Sequence, residues 1–146
     1  MAKNFSFSKN PGMIITATYV IMYIVNAPIL YLANMLFPEQ VVLGTATLSL
    51  MWAVVLSMSA LSLILTLLIP FLHEIERKLD RDLTMQEWIG AYLAINFGGI
   101  WLISRFSEQF GLGASSWLVV LGLAVVMNLV QGVTMMQFEK FRKAHN

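Results

Sequence analysis

The chain contains one two-helix pattern twice, in the same order and orientation, and this duplication limits the architecture more than any other feature. Asn26 falls on Asn96, and Tyr31-Leu32 on Trp101-Leu102, 70 positions later. Glu39-Gln40 falls on Glu108-Gln109, and Leu43-Gly44 on Leu112-Gly113, 69 positions later. Trp52-Ala-Val-Val-Leu56 falls on Trp117-Leu-Val-Val-Leu121, and Glu74 on Glu139, 65 positions later. The offset therefore drops by four residues just after Leu43-Gly44, about one helical turn.

The repeated unit is apolar. Of 146 residues, 58% are hydrophobic and 12% charged, and the mean hydropathy is +0.74. Between Met13 and Leu72 the only charged residue is Glu39. Between Trp88 and Phe138 there are only Arg105 and Glu108. Each stretch exceeds the ~20 apolar residues that cross a bilayer, and each is cut by a short polar break. The expected fold is an all-α membrane protein with four transmembrane helices, at roughly 12–36, 47–71, 88–106 and 114–137. It forms a single integral membrane domain over 1–146. Repeat 1 covers about 12–72, a charged cytoplasmic linker 73–87, and repeat 2 about 88–143. Two spans per repeat insert both copies the same way, which predicts a pseudo-two-fold axis along the membrane normal. Asn26-Ala27-Pro28 is a poor cleavage site, so the first helix is expected to remain as an anchor.

Lysine and arginine fix the expected orientation. With four spans, both tails and the central linker share one side. Eight of the nine basic residues lie there, and only Arg105 lies opposite. The positive-inside rule places both termini in the cytoplasm. There is no cysteine, which excludes disulfides and thiol chemistry. His73 and His145 have no metal-ligand spacing. No nucleophile–base pair, carboxylate dyad or phosphate loop is present, so no catalytic residue, cofactor, metal or nucleic-acid partner is expected.

Local signals place the elements. Asn10-Pro11 reads as an N-cap with proline at the first helical position. Pro28 interrupts the first helix. Val41 to Thr47 is β-branched and contains Gly44, so it reads as an extended lead-in to the second helix. Pro70 marks that helix's end or a kink. Leu72, Ile75, Leu79 and Leu83 make part of the linker amphipathic, with Glu74–Lys78 and Lys78–Asp82 as i,i+4 pairs. Thr84-Met-Gln-Glu87 is a capping box that opens the third helix. Phe5 and Phe7, between Lys3 and Lys9, read as a frayed tail or a segment lying on headgroups.

Four midplane amides are the candidate site residues. Asn26 and Asn96 are equivalent by the repeat, whereas Asn128 and Gln131 fall on Leu63 and Thr66 and are not duplicated. An amide facing hydrocarbon is costly. These side chains therefore either line a path for a small solute or bond across helices as packing contacts. Glu39 and Glu108 in the outer turns form either an acidic vestibule or ordinary turn residues, and Arg105–Glu108 is an available i,i+3 pair. Arg77, Lys78, Arg81, Lys140, Arg142 and Lys143 are candidates for binding anionic lipid or a cytoplasmic protein partner.

The motif Asn26-Ala-Pro-Ile-Leu-Tyr-Leu32, followed by Pro38 and Trp52-Ala-Val-Val-Leu-Ser57, resembles the phage holin family (superfamily IV) of small four-helix bacterial membrane proteins. Its second copy reads Asn96-Phe-Gly-Gly-Ile-Trp-Leu102 and Trp117-Leu-Val-Val-Leu-Gly122. The resemblance covers most of both hairpins. Ser107 departs from it where Pro38 stands in the first copy. It implies membrane permeabilisation, which requires a homo-oligomer here because so few polar residues cannot line a wide pore. A non-conducting structural or interaction protein and a small-solute carrier are the alternatives, and the carrier needs a midplane cavity lined by Asn26, Asn96, Asn128 and Gln131.

Overall fold

The computed structural model describes residues 10–144, apart from the side chain of Arg142. Lys3, Phe5, Phe7, Lys9 and His145 lie outside the described residues. Helix α1 (Pro11–Leu36) starts where Asn10 Oδ1 accepts from Gly12 N–H at 3.1 Å, with proline at the first position. It continues through Pro28 and ends as Phe37 N–H bonds Ala33 O at 2.9 Å. Helix α2 (Leu50–Leu79) is capped by Ser49, and helix α3 (Met85–Arg105) by Thr84. A single turn, α4 (Ser107–Phe110), precedes helix α5 (Trp117–Ala144).

Helix α2 does not stop near residue 71. It passes through Pro70 and runs to Leu79, where Asp80 adopts a left-handed conformation (φ 53°). The apolar spacing explains this, since Leu72 stays buried at 4% exposure beyond the proline. The Arg77–Glu74 pair at 2.7 Å supports the last turns, in place of the expected Lys78 pairs. Only residues 80–84 separate α2 from α3.

The lead-ins to α2 and α5 are extended, and they pair with each other. Strands β1 (Val41–Leu43) and β2 (Leu112–Ala114) form an antiparallel ribbon with Val41 opposite Ala114, Val42 opposite Gly113 and Leu43 opposite Leu112. The all-helical expectation missed this pairing. Leu43 and Leu112 are the residues that the 69-residue offset makes equivalent. The flanking bonds are Gly44 N–H to Gly111 O (2.8 Å) and Ser115 N–H to Gln40 O (2.9 Å). The preceding turns also match at that offset. Gln40 and Val41 N–H bond Phe37 O (3.1 and 2.9 Å), and Gln109 and Phe110 N–H bond Phe106 O (3.0 and 3.0 Å). The four extra residues of the first copy fall in the turn after Gly44. That turn is closed by Thr45 N–H to Leu48 O at 2.8 Å and by Leu48 N–H to Thr45 Oγ1 at 3.0 Å.

The four long helices enclose one apolar core. Helix α1 packs on α2 and α5, and α3 packs on the same two. Leu30, Met58, Leu61, Leu65, Ile100, Leu112 and Met127 are fully buried. Each such side chain contributes about 1.5–3 kcal/mol of burial. Val41 and Leu43 press the ribbon onto one end of this core. The outer faces are also apolar, with Ile24, Leu67 and Leu129 exposed. Among the described residues three helices are long and apolar enough to cross a membrane: Pro11–Leu36, Leu50–Leu79 and Trp117–Phe141. Helix α3 carries Glu87 and Arg105 near its ends and Asn96 between them, and it falls outside that set.

Gly111 holds the ribbon against α2. Its φ is +75°, and a Cβ there would lie 2.5 Å from Ala53 Cβ. Gly111→Ala should cost about 2–4 kcal/mol through left-handed strain and overpacking. Gly122 lies in the interior of α5 with nothing within 4 Å of an added Cβ. Gly122→Ala should be neutral, or stabilising by about 0.5–1 kcal/mol. Thermal unfolding in one detergent compares them, and equal midpoints would contradict the close approach at Gly111.

Candidate functional site

Three carboxamides from three helices meet in the core. Asn96 Nδ2 donates to Gln131 Oε1 at 2.8 Å, and Gln131 Nε2 donates back to Asn96 Oδ1 at 3.2 Å. The second Nε2 hydrogen reaches Asn26 Oδ1 at 2.6 Å. Asn26 and Asn96 are fully buried, and Gln131 is 2% exposed. The repeat placed the two asparagines at one depth, and the unduplicated glutamine joins them. Its counterpart, Thr66, is too short to do the same and turns its hydroxyl back onto Ser62 O at 2.7 Å. Among the described residues, Asn26 Nδ2 and Ser62 Oγ are buried without a hydrogen-bond partner.

Asn128 does not join this cluster. One helical turn before Gln131, it is half-buried and donates to Ile89 O at 3.4 Å. Both residues border a cavity of about 380 Å³ that all four long helices line. Thr18 and Met22 come from α1, Ile69 and His73 from α2, Trp88 and Tyr92 from α3, and Gly132 and Glu139 from α5. The cavity lies at the end of the molecule where α2 hands over to α3 and where α5 finishes. Beyond Gln131 the interior is filled by Leu30, Met127 and Ile100, all at 0% exposure. Asn26 and Asn96 therefore pack against Gln131 and do not line the space, so of the four amides expected around a carrier's cavity only Asn128 and Gln131 border this one. A separate trough of about 510 Å³ between α1 and α5, bordered by Ala33, Gly122 and Val126, is almost wholly apolar.

A polar network frames the cavity mouth. Glu76 accepts from Leu83 N–H (3.0 Å) and from Trp88 Nε1 (3.3 Å), and it pairs with His73 Nδ1 (2.8 Å). His73 meets Trp88 edge-on at 5.7 Å, and Trp88 stacks with Tyr92 at 6.1 Å. The sequence gives His73 no metal-ligand spacing and does not single out Glu76 or Trp88. Their one legible signal was the i,i+3 spacing of His73 and Glu76 on the amphipathic stretch.

The basic candidates are partly consumed within the chain. Arg81 makes a fork to Glu87 at 2.8 and 3.0 Å, and Arg77 pairs with Glu74. Lys143 lies 3.9 Å from Glu139. Lys78 and Lys140 are exposed, and the side chain of Arg142 lies outside the described residues. Glu39 and Glu108 are both exposed at the opposite end. The expected Arg105–Glu108 pair does not form. The Arg105 guanidinium sits over the Trp101 ring instead, 4.7 Å from its centroid. Among the described residues, no group of three or more His, Asp or Glu could hold a metal ion. No protein-family model matches the chain, and no curated protein and no solved structure matches it.

Two outcomes follow from these bonds. Among the described residues, Gln131 is the only partner of three buried polar atoms on two amides, Asn26 Oδ1, Asn96 Oδ1 and Asn96 Nδ2, and Gln131→Leu should cost more than about 3 kcal/mol, because each stranded atom costs about 1–3 kcal/mol. Replacing Asn26, Asn96 and Gln131 together by leucine should recover most of that loss, since no amide atom of the cluster is then left unpaired. Chemical unfolding of the single and triple variants decides this, and a triple variant that loses the sum of the single losses would refute it. The second outcome concerns pH. Arg81 first, and then the Thr84 backbone N–H, lower the Glu87 carboxyl from 4.5 to about 2. The α3 cap is thus fully stabilised by this group above pH 4.5 and loses that support as pH falls toward 2. A proton NMR titration of the Thr84 amide should show a midpoint near the lower value, and Glu87→Gln should abolish it. A midpoint at the ordinary carboxylate value would mean that the pair does not persist in solution.

Proposed function

We propose that this chain is a four-span protein of the bacterial inner membrane, with both termini cytoplasmic, that takes a small solute into its cavity from the cytoplasmic side, as a carrier does. The cavity is the observation that carries the reading. Its volume of about 380 Å³ falls in the range of small-molecule sites. It lies near one end of the bundle, and it has few polar groups on an apolar wall. The cytoplasmic assignment rests on Arg77, Lys78, Arg81, Lys140 and Lys143, which cluster at that end. Helix α3 counts as the fourth span because the repeat sets it where α1 stands. The pairing of Leu43 with Leu112 supports a four-helix bundle with a pseudo-two-fold axis along the membrane normal.

The holin-like reading has one supporting observation besides the resemblance. Ala33 and Gly122 border the apolar trough between α1 and α5, and small residues let a helix of a second copy approach closely. Permeabilisation would then belong to an oligomer, because the interior of one copy is filled.

The cysteine-free chain makes the test direct. Single cysteines at Asn128, Gly132 and Met135 should react with a membrane-impermeant thiosulfonate added to inside-out vesicles, and should resist it in right-side-out cells. Cysteine in place of exposed Ser115 should show the reverse. Cysteine in place of Leu129 should resist both. If the three cavity positions resist from both sides, the cavity reading falls. If they react from both sides, a continuous path exists and the permeabilising reading replaces it.

A further inference from the structure

We propose that the solute this cavity takes is an uncharged aromatic or cyclic molecule bearing one hydrogen-bonding group, such as a carbonyl, an amide or a hydroxyl. The proposal rests on the cavity reading above and adds the ligand's chemistry.

Charge is the first argument. None of the described residues lining the cavity is lysine or arginine. Glu139 stands at the mouth, with Lys143 at 3.9 Å. His73 turns its Nδ1 to Glu76. Among the described lining residues the ionisable Glu139 and His73 are each engaged by a neighbour in this chain, so an ionised solute would surrender its hydration without a counter-charge kept for it. A neutral solute escapes that cost.

Shape is the second. Trp88 and Tyr92 both line the cavity and stack with an interplanar angle of 24°. They put two aromatic rings on the lining, against which a further ring can pack edge-on or offset. Met22, Met85 and Met135 supply the remaining surface, and their thioether chains adapt to a planar body and make favourable sulfur–aromatic contacts.

Hydrogen-bonding capacity is the third. The two amides bordering the cavity differ in what they have left to offer. Gln131 spends its oxygen on Asn96 and its nitrogen on Asn26 and Asn96, so it sets the floor and recognises nothing. Asn128 makes one long bond, from Nδ2 to Ile89 O at 3.4 Å, and no described residue donates to its side-chain oxygen. It therefore keeps one N–H and one acceptor for a ligand. The repeat places Leu63 at the equivalent position of α2, so this group was not inherited from a symmetric framework.

The test uses three probes that share one ring: 4-fluorobenzamide, 4-fluorobenzoate and 4-fluorobenzylammonium. Fluorine NMR follows each with the full chain in nanodiscs, against empty nanodiscs and against Gly132→Phe, which fills the cavity from a position with nothing within 4 Å of an added Cβ. The benzamide should show saturable binding that unlabelled benzamide displaces and Gly132→Phe abolishes. The two ions should bind at least about tenfold more weakly, and Asn128→Leu should weaken benzamide binding by about tenfold or more. Asn128→Ala repeats the comparison if leucine disturbs the packing. Ions that bind as tightly as the amide, or an Asn128 variant without effect, overturn the neutral-ligand proposal while leaving a working cavity. Absence of displaceable benzamide binding, with cavity cysteines still labelled, overturns it as well. Unlabelled cavity cysteines would instead remove the cavity reading beneath it.

Discussion

A carboxamide buried among apolar side chains must find a partner or cost about 1–3 kcal/mol, and three of them lie in the core of this chain. Their solution fixes much else. Gln131 has the reach to bond Asn26 on α1 and Asn96 on α3 at once, so α5 is locked in rotation and depth against two helices. Hydrophobic contact alone would allow those helices to slide, because one leucine layer resembles the next. The amides give the packing a register. They do so asymmetrically, since Thr66 cannot repeat the bond on the other side and Asn26 keeps an unpaired N–H.

The two ends of the molecule are finished differently. At one end, Val41, Leu43 and Leu112 fold inward under the ribbon, and the backbone groups of the lead-ins satisfy each other. Extended backbone next to an apolar core needs such pairing. At the other end no ribbon exists. The short connection between α2 and α3 is tied instead by Glu76, Glu87 and Arg81, which hold the loop to the side of the mouth. The cavity is the space left between helix ends that have no plug.

Much of this was legible in the amino-acid order. The capping box at Thr84 and Glu87, the proline start of α1 and the equivalence of Asn26 with Asn96 all rest on local chemistry or on the repeat, and each has its counterpart in the coordinates. The extent of α2 was less legible, because Pro70 argues locally for a stop while the buried face continues past it through Leu72. Tertiary burial outweighed a single lost hydrogen bond. The ribbon was half legible. Val41 to Leu43 reads as extended, but its partner is 69 residues away, and no local signal carries that information. The same holds for the cavity. Asn128 and Gln131 look like one polar face, yet a turn of helix sends one to the core and the other to the wall. Arg105 preferred the Trp101 ring to Glu108, a choice between two neighbours that spacing alone does not rank.

The ribbon also bears on how the chain is made. Leu43 is made 69 residues before Leu112 (112 − 43), roughly 3–14 s at ordinary synthesis rates. Through that interval the first hairpin carries an open strand edge and an uncapped apolar end, with its asparagine still lacking the glutamine that arrives later still. The N-terminal half is thus complete in helices and incomplete in hydrogen bonds until nearly the whole chain is present. Closure of the ribbon is a long-range event, and it marks the moment at which two successively made hairpins become one body. An unclosed edge of this kind is what a strand from another copy could pair with, so dilution and prompt synthesis of the second half both favour the single-chain form.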